Sequence, residues 1–209
     1  MSEASMQITS AVIVREGAVI KDASVIFRST ETGSAFLNAA YEELDVAYPR
    51  FYKMDLLSKT GTIAVDALLK ERIDLEQFRS EDTGMVLSNR NASIEADVQY
   101  LEASKAYPSP ALFVYTLPNI VIGEISIRYK FKGENAFFIS DTFDAGWMHW
   151  YVTDLMQRNL LKVCICGWID VVDEQTDACI FLVEQMPSAT GQPFTTENLW
   201  DIYNKDYGK

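Results

Sequence analysis

The chain is poor in the residues that carry most proton-transfer and nucleophilic chemistry. Its 209 residues contain one histidine, His149, so any mechanism needing two histidines is excluded for this chain acting alone. Three cysteines, Cys164, Cys166 and Cys179, are too few and too odd in number for a disulfide framework. Only six prolines are present, with no Pro/Gly-rich linker to divide two domains and no internal repeat. No apolar run approaches the roughly 20 residues of a membrane span, and Met1 to Gln7 lack the basic and apolar regions of a secretory leader. Basic charge is short as well: 18 Lys and Arg stand against 30 Asp and Glu, a net charge of −12. Such a chain repels phosphate backbones and anionic bilayers, which argues against nucleic-acid and membrane partners and weakens direct docking to an acidic protein. A cytoplasmic protein is expected.

What is present is ordinary for a globular protein: 48% hydrophobic residues and enough length for one sizeable core. A single domain over 1–209 is expected, with the core at about 8–186 and a tail at 187–209. Ile8 to Val14, Thr83 to Ser88, Asn135 to Ser140, Lys162 to Val172 and Ala178 to Met186 read as strands, being apolar and rich in β-branched residues. Ser34 to Tyr41, Met54 to Arg72, Ile94 to Lys105 and Ala145 to Arg158 read as helices. In Met54 to Arg72 the apolar positions recur at helical spacing, with Lys59, Asp66 and Lys70 off that face. Leu112 to Ile127 reads as loop, then helix. Strand–helix alternation with fully apolar central strands implies an α/β layered fold, and the turn at Asp173 to Asp177 closes a hairpin. The expected sheet is mixed and five-stranded, with helices on both faces.

Three smaller groups have plain readings. Cys164 and Cys166 share one strand face, with Cys179 on the next strand, and suit buried thiols better than a metal set. Arg128, Lys130 and Lys132 form a basic group beside an edge strand, solvated or facing a partner's acids. Trp200, Tyr203 and Tyr207 sit at helical spacing and suit docking on the chain's own surface.

Several motifs, taken in order, resemble the β-ketoacyl synthases. Lys53-Met54-Asp55-Leu56-Leu57-Ser58-Lys59 is similar to the opening of their early helix, and Gly84 to Asn89 to their next central strand. Pro110 to Phe113, Leu117-Pro118-Asn119 and Gly123 to Arg128 resemble the loop and helix at their dimer interface. Phe131-Lys132-Gly133 resembles the turn into the nucleophile strand, and Val163 to Gly167 the strand that ends in glycine after the nucleophile helix. The resemblance covers most of residues 50 to 185. It implies the N-terminal half of a thiolase fold. The half that carries the family's catalytic histidines, or a histidine and an asparagine, has no counterpart here.

The resemblance also locates a missing residue. The family sets a cysteine at a helix N-terminus, where the positive helix end favours thiolate and backbone N–H groups bind an oxyanion. Counting forward from Gly133 and backward from Gly167 places Thr142 there, with Phe143 and Asp144 as slipped alternatives. Thr142 as a nucleophile needs a base in reach. His149, seven residues on, lies about 10 Å away along a helix. Thr142 and Asp144 therefore read as helix-capping groups.

The resemblance implies a non-catalytic, chain-length-factor-type partner subunit in fatty acid, polyketide or aryl-polyene biosynthesis, with no cofactor and no metal. Its interface would use Phe113, Tyr115, Thr116, Leu117, Pro118 and Asn119, and the edge strand bearing Asn135, Phe137, Phe138 and Ile139. The partner would be a complete ketosynthase or a second copy, with acyl carrier protein engaged only indirectly. Two alternatives stand beside it: an acyltransferase or decarboxylase working through Thr142 or Asp144, and a homodimeric protein that binds acyl chains or acyl carriers.

Overall fold

A computed structural model describes residues 6–70, 79–185 and 191–206. The expected ends at Arg72, Met186 and Tyr207 lie outside these. The strands are β1 (Gln7–Arg15), β2 (Ala18–Lys21), β3 (Ser24–Arg28), β4 (Thr83–Asn89), β5 (Asn135–Ile139), β6 (Val163–Val172), β7 (Gln175–Glu184) and β8 (Gln192–Pro193). The helices are α1 (Gly33–Glu43), α2 (Leu56–Leu69), α3 (Ile94–Ser104), α4 (Pro110–Val114), α5 (Ile120–Tyr129), α6 (Ala145–Gln157) and α7 (Thr196–Asn204).

All eight strands form one sheet in the order β3-β2-β1-β7-β6-β4-β5, with β8 added to β1. β4 runs parallel to β5 and β6, and the other pairings are antiparallel. The sheet is therefore mixed, and the five expected strands are five consecutive neighbours in it, β1-β7-β6-β4-β5, ending at the β5 edge. The count of five is corrected to eight among the described residues. β2 and β3 are only four and five residues long and are joined by turns that residue type does not announce. Their turns depend on left-handed residues, Glu16 and Gly17 at φ 50° and 69° and Asp22 and Ala23 at 47° and 69°. Two successive positive φ values suit a tight hairpin turn. The Asp22 carboxylate locks the second turn to β1 by accepting from the Ala11 amide at 2.8 Å and the Ser10 hydroxyl at 3.0 Å. The β6–β7 hairpin closes on Asp173 and Glu174, at φ 50° and 61°, tighter than the expected five-residue turn.

Strand side chains alternate between two cores. Val163, Ile165, Ile169, Ile180 and Leu182 pack beneath α1, α2 and α5, while Cys164, Cys166, Trp168, Cys179 and Phe181 pack beneath α6 and α7. All three cysteines are buried free thiols, as the sequence suggested. Among the described residues no cluster of three metal-ligating side chains exists.

α2 is buried almost all round. Asp55 caps its N-terminus by accepting from the Ser58 amide at 3.0 Å. Gly61 lets α5 approach, since a Cβ there would lie 2.4 Å from Val121 Cγ2. Lys59 and Asp66, which periodicity puts on a solvent face, are thereby covered. Lys59 donates to Asn38 Oδ1 at 3.3 Å, and Asp66 pairs with Arg128 and accepts from the Tyr129 hydroxyl at 2.8 Å. The Arg128 guanidinium also stacks between the Tyr48 and Tyr129 rings, 5.1 Å from each. The reading of Arg128, Lys130 and Lys132 as one exposed basic group is thus corrected for Arg128, which is committed inside the fold.

Among the described residues no helix is long and apolar enough to cross a membrane. Among the described residues β5 has no strand on its outer side.

Candidate functional site

The residues singled out in the sequence fall mainly in two regions, the N-terminus of α6 and the segments 113–119 and β5.

The chain leaves β5 at Ile139, turns through Ser140 to Phe143 and enters α6 at Ala145. Asp144 is the N-cap, its Oδ1 accepting from the Trp147 amide at 2.8 Å. Capping is therefore performed by Asp144 and not by Thr142. Thr142 is exposed, two residues before the cap, and its carbonyl accepts from the Ser140 hydroxyl at 2.7 Å. Phe143 points the other way, buried against Phe181 and Tyr203 with ring centroids at 6.0 and 4.8 Å. His149 packs on Phe194, centroids 5.1 Å apart, and neither Thr142 nor Asp144 is among its described contacts. This site has a helix end already occupied by a carboxylate, and no base is seen against its hydroxyl.

α7 docks on the α6 side of the sheet. Leu199 is fully buried, and the Tyr203 hydroxyl donates to Asp177 at 3.0 Å, with Arg15 4.7 Å over its ring. Tyr203 docks as expected, whereas Trp200 is half exposed. The clefts of about 180 and 410 Å³ beside α7 involve residues of the β1–β2 hairpin and the tail, such as Arg15, Asp22, Asn198 and Lys205. Neither contains any of the expected interface residues.

The 113–119 segment is a short helix followed by turns. Ser109 caps α4 with Pro110 in its first turn, the hydroxyl accepting from the Leu112 amide at 3.4 Å. Phe113, Val114 and Leu117 face outward, with Phe113 51% and Leu117 48% exposed. Tyr115 faces inward against the α2–α5 core, and its hydroxyl donates to Glu124 Oε1 at 3.3 Å. Burial, then the Glu124 charge, push its phenol up to about 12. The Thr116 carbonyl accepts from the Ser93 hydroxyl at 2.7 Å. Pro118 is half-buried and Asn119 precedes α5 on the exposed side.

On β5, Asn135 and Ile139 are exposed, Phe137 contributes to the α2–α5 core, and Phe138 packs on Trp147 and Tyr151 of α6, centroids 4.4 and 5.2 Å apart. Two features escaped the sequence reading. Ile94, Val98 and Leu101 of α3 form an exposed apolar stripe at i, i+4 and i+7; helical spacing signals such a stripe but not its exposure. The buried Glu124 had no sequence signal, because its partners come from two other segments, Tyr48 and Arg50 in one and Tyr115 in the other.

No family model and no curated protein matches the sequence. Solved structures do match in fold. A complex of a type II polyketide acyl-carrier protein with its ketosynthase bound to the hexaketide superposes with TM-score 0.61 at 16% identity, over 86% of this chain and 62% of that one. The ishigamide ketosynthase/chain length factor gives TM-score 0.60 at 18% identity, over 90% and 64%. A ketosynthase in complex with its chain length factor from Xenorhabdus doucetiae gives 0.56 at 13% identity, over 95% and 90%. The chain thus spans under two thirds of the first two matched chains and most of the third. At these identities the likeness is one of fold: a thiolase-like half-fold, the mixed sheet with helices on both faces.

Proposed function

From this ketosynthase-like half-fold, we propose that the chain is a non-catalytic, chain-length-factor-type partner of a complete ketosynthase in bacterial fatty acid, polyketide or aryl-polyene synthesis. The observation that carries the reading is the apolar surface. Leu101 is 61% and Ile139 54% exposed, and with Val98, Phe113 and Leu117 they give two helices and an edge strand large apolar groups turned to solvent. Large apolar side chains turned to solvent support an association site. β5 carries no charge and no proline, the usual guards of a free edge. These elements include the segments that the motifs assign to the dimer face. The third structural match adds support: a chain of nearly this length and fold occurs in a complex of a ketosynthase with its chain length factor.

A heterodimer is favoured over a homodimer because each copy carries −12, and like charges oppose self-association. An acidic surface also leaves docking of an acidic acyl carrier to the partner. Co-expression with the complete ketosynthase encoded nearest to this gene tests the reading. The expected result is a 1:1 complex by native mass spectrometry and a product-length distribution that shifts when this chain is omitted. A chain that stays alone and leaves product length unchanged refutes it, and a stable homodimer that excludes the ketosynthase supports the second-copy reading.

The acyltransferase reading makes the opposite prediction at one residue. A Thr142→Cys variant should behave as an ordinary exposed thiol, with pKa about 8.5, since Asp144 rather than an oxyanion occupies the helix end. Alkylation by iodoacetamide should therefore follow that titration, and no condensation product should form from acyl and malonyl thioesters. Turnover by this variant would establish a latent active site.

A further inference from the structure

We propose that Glu124 is the positioning residue of the 110–119 segment, holding it through Tyr115 so that Phe113, Val114 and Leu117 are set outward for the partner. This rests on the partner-subunit reading above.

Glu124 lies on α5 and is 5% exposed. A buried carboxylate is costly unless paired. Its Oε1 accepts from Arg50 Nη2 at 2.9 Å and from the Tyr115 hydroxyl at 3.3 Å, while Oε2 is buried with no hydrogen-bond partner. The Tyr48 hydroxyl is also buried nearby, and burial and then the Glu124 charge push its phenol up. Glu124 Oε1 thus joins two chain segments, residues 49–53 and the 110–119 segment. Within residues 113–119, two described side-chain bonds reach elements outside 110–119: Tyr115 to Glu124, and Ser93 to the Thr116 carbonyl at 2.7 Å. α4 is five residues long, too short to hold its own shape. The alternation of inward Tyr115 with outward Val114 and Leu117 means that any rotation freeing Tyr115 turns the apolar residues away.

The test uses hydrogen–deuterium exchange on the isolated full chain. Tyr115→Phe keeps the ring and removes the hydroxyl; Glu124→Gln keeps the shape and removes the charge. Amides 115–117, bonded back to the carbonyls of 112–114, should exchange about tenfold faster in both variants, as local opening free energy falls. β4 and β6 should be unchanged, and at 115–117 the double variant should not exceed the larger single effect, because there both changes act on the Tyr115–Glu124 bond. Unchanged exchange at 115–117 in Tyr115→Phe overturns the proposal. So does an equal rise in β4 and β6, which would mark Glu124 as merely structural. Binding of the same variants to the ketosynthase separates the two readings. If wild type fails to bind, the partner role falls while the exchange result stands. If Tyr115→Phe exchanges faster yet binds as wild type does, pairing does not depend on this positioning.

Discussion

Replacing Phe113 and Leu117 together by aspartate is expected to weaken association with the ketosynthase by a factor of 10³ or more, with the melting temperature of the isolated chain shifted by only a few degrees. Both side chains are about half exposed, so the folded monomer loses little apolar burial. Phe113 does touch Tyr100, ring centroids 5.5 Å apart, and that contact accounts for the small shift. In the complex the effect is of another size. An aromatic anchor at an interface centre costs about 2 kcal/mol or more on truncation, and a carboxylate left there unpaired adds a desolvation penalty of several kcal/mol. At about 1.4 kcal/mol per factor of ten, even the lower figures exceed 10³. Trp200→Asp is the control: Trp200 is equally exposed but lies on α7, with the α6-side helices, and its change should leave association intact. Association equally insensitive to both changes would remove the 113–117 segment from the interface.

Gly167→Ala is expected to abolish folding or to cost more than about 4 kcal/mol, a loss reserved for a few mechanisms of which backbone collision is one. Gly167 sits in the middle of β6 opposite Ile180, at φ +146°. A Cβ there would lie 2.1 Å from the Cys179 carbonyl oxygen and 3.1 Å from its carbon. Those atoms are backbone of the neighbouring central strand and cannot rotate aside, so the β6–β7 ladder must open between the two cores. The same substitution at Gly123 should do the reverse. No atom lies within 4 Å of a Cβ there, and in a helix interior alanine is better than glycine by up to about 1 kcal/mol. Urea denaturation of both variants reads the contrast. A Gly167→Ala protein with a wild-type midpoint would mean that β6 and β7 are not so closely apposed.

The central strands were readable because both faces are covered. Val163 to Ile169 and Ala178 to Val183 run without a charged or polar side chain, and a strand buried between two helix layers needs that. The hairpin β2–β3 escaped because its signal lies in turn conformation. Asp22-Ala23 is not a strong turn pair by residue type, and the Asp22 carboxylate compensates through bonds to β1. That no cysteine stands between β5 and α6 is plain from the sequence; that Asp144 and not Thr142 caps α6 followed from the path of the chain between Ile139 and Ala145.

Residue order thus specified the alternation of strands and helices, the two-sided core, the dearth of histidine and the lack of cysteine before α6. These are local or compositional properties, carried by the period of burial and by residue identity. Arg128 locked to Asp66 between two tyrosine rings, Lys59 covered within α2, Glu124 shared by Arg50 and Tyr115, and an apolar α3 stripe left facing solvent were decided by packing. Each depends on which element lies against which, and pairs such as Arg128 with Asp66 and Glu124 with Arg50, 62 and 74 positions apart, meet only once the sheet has set the distances between their segments.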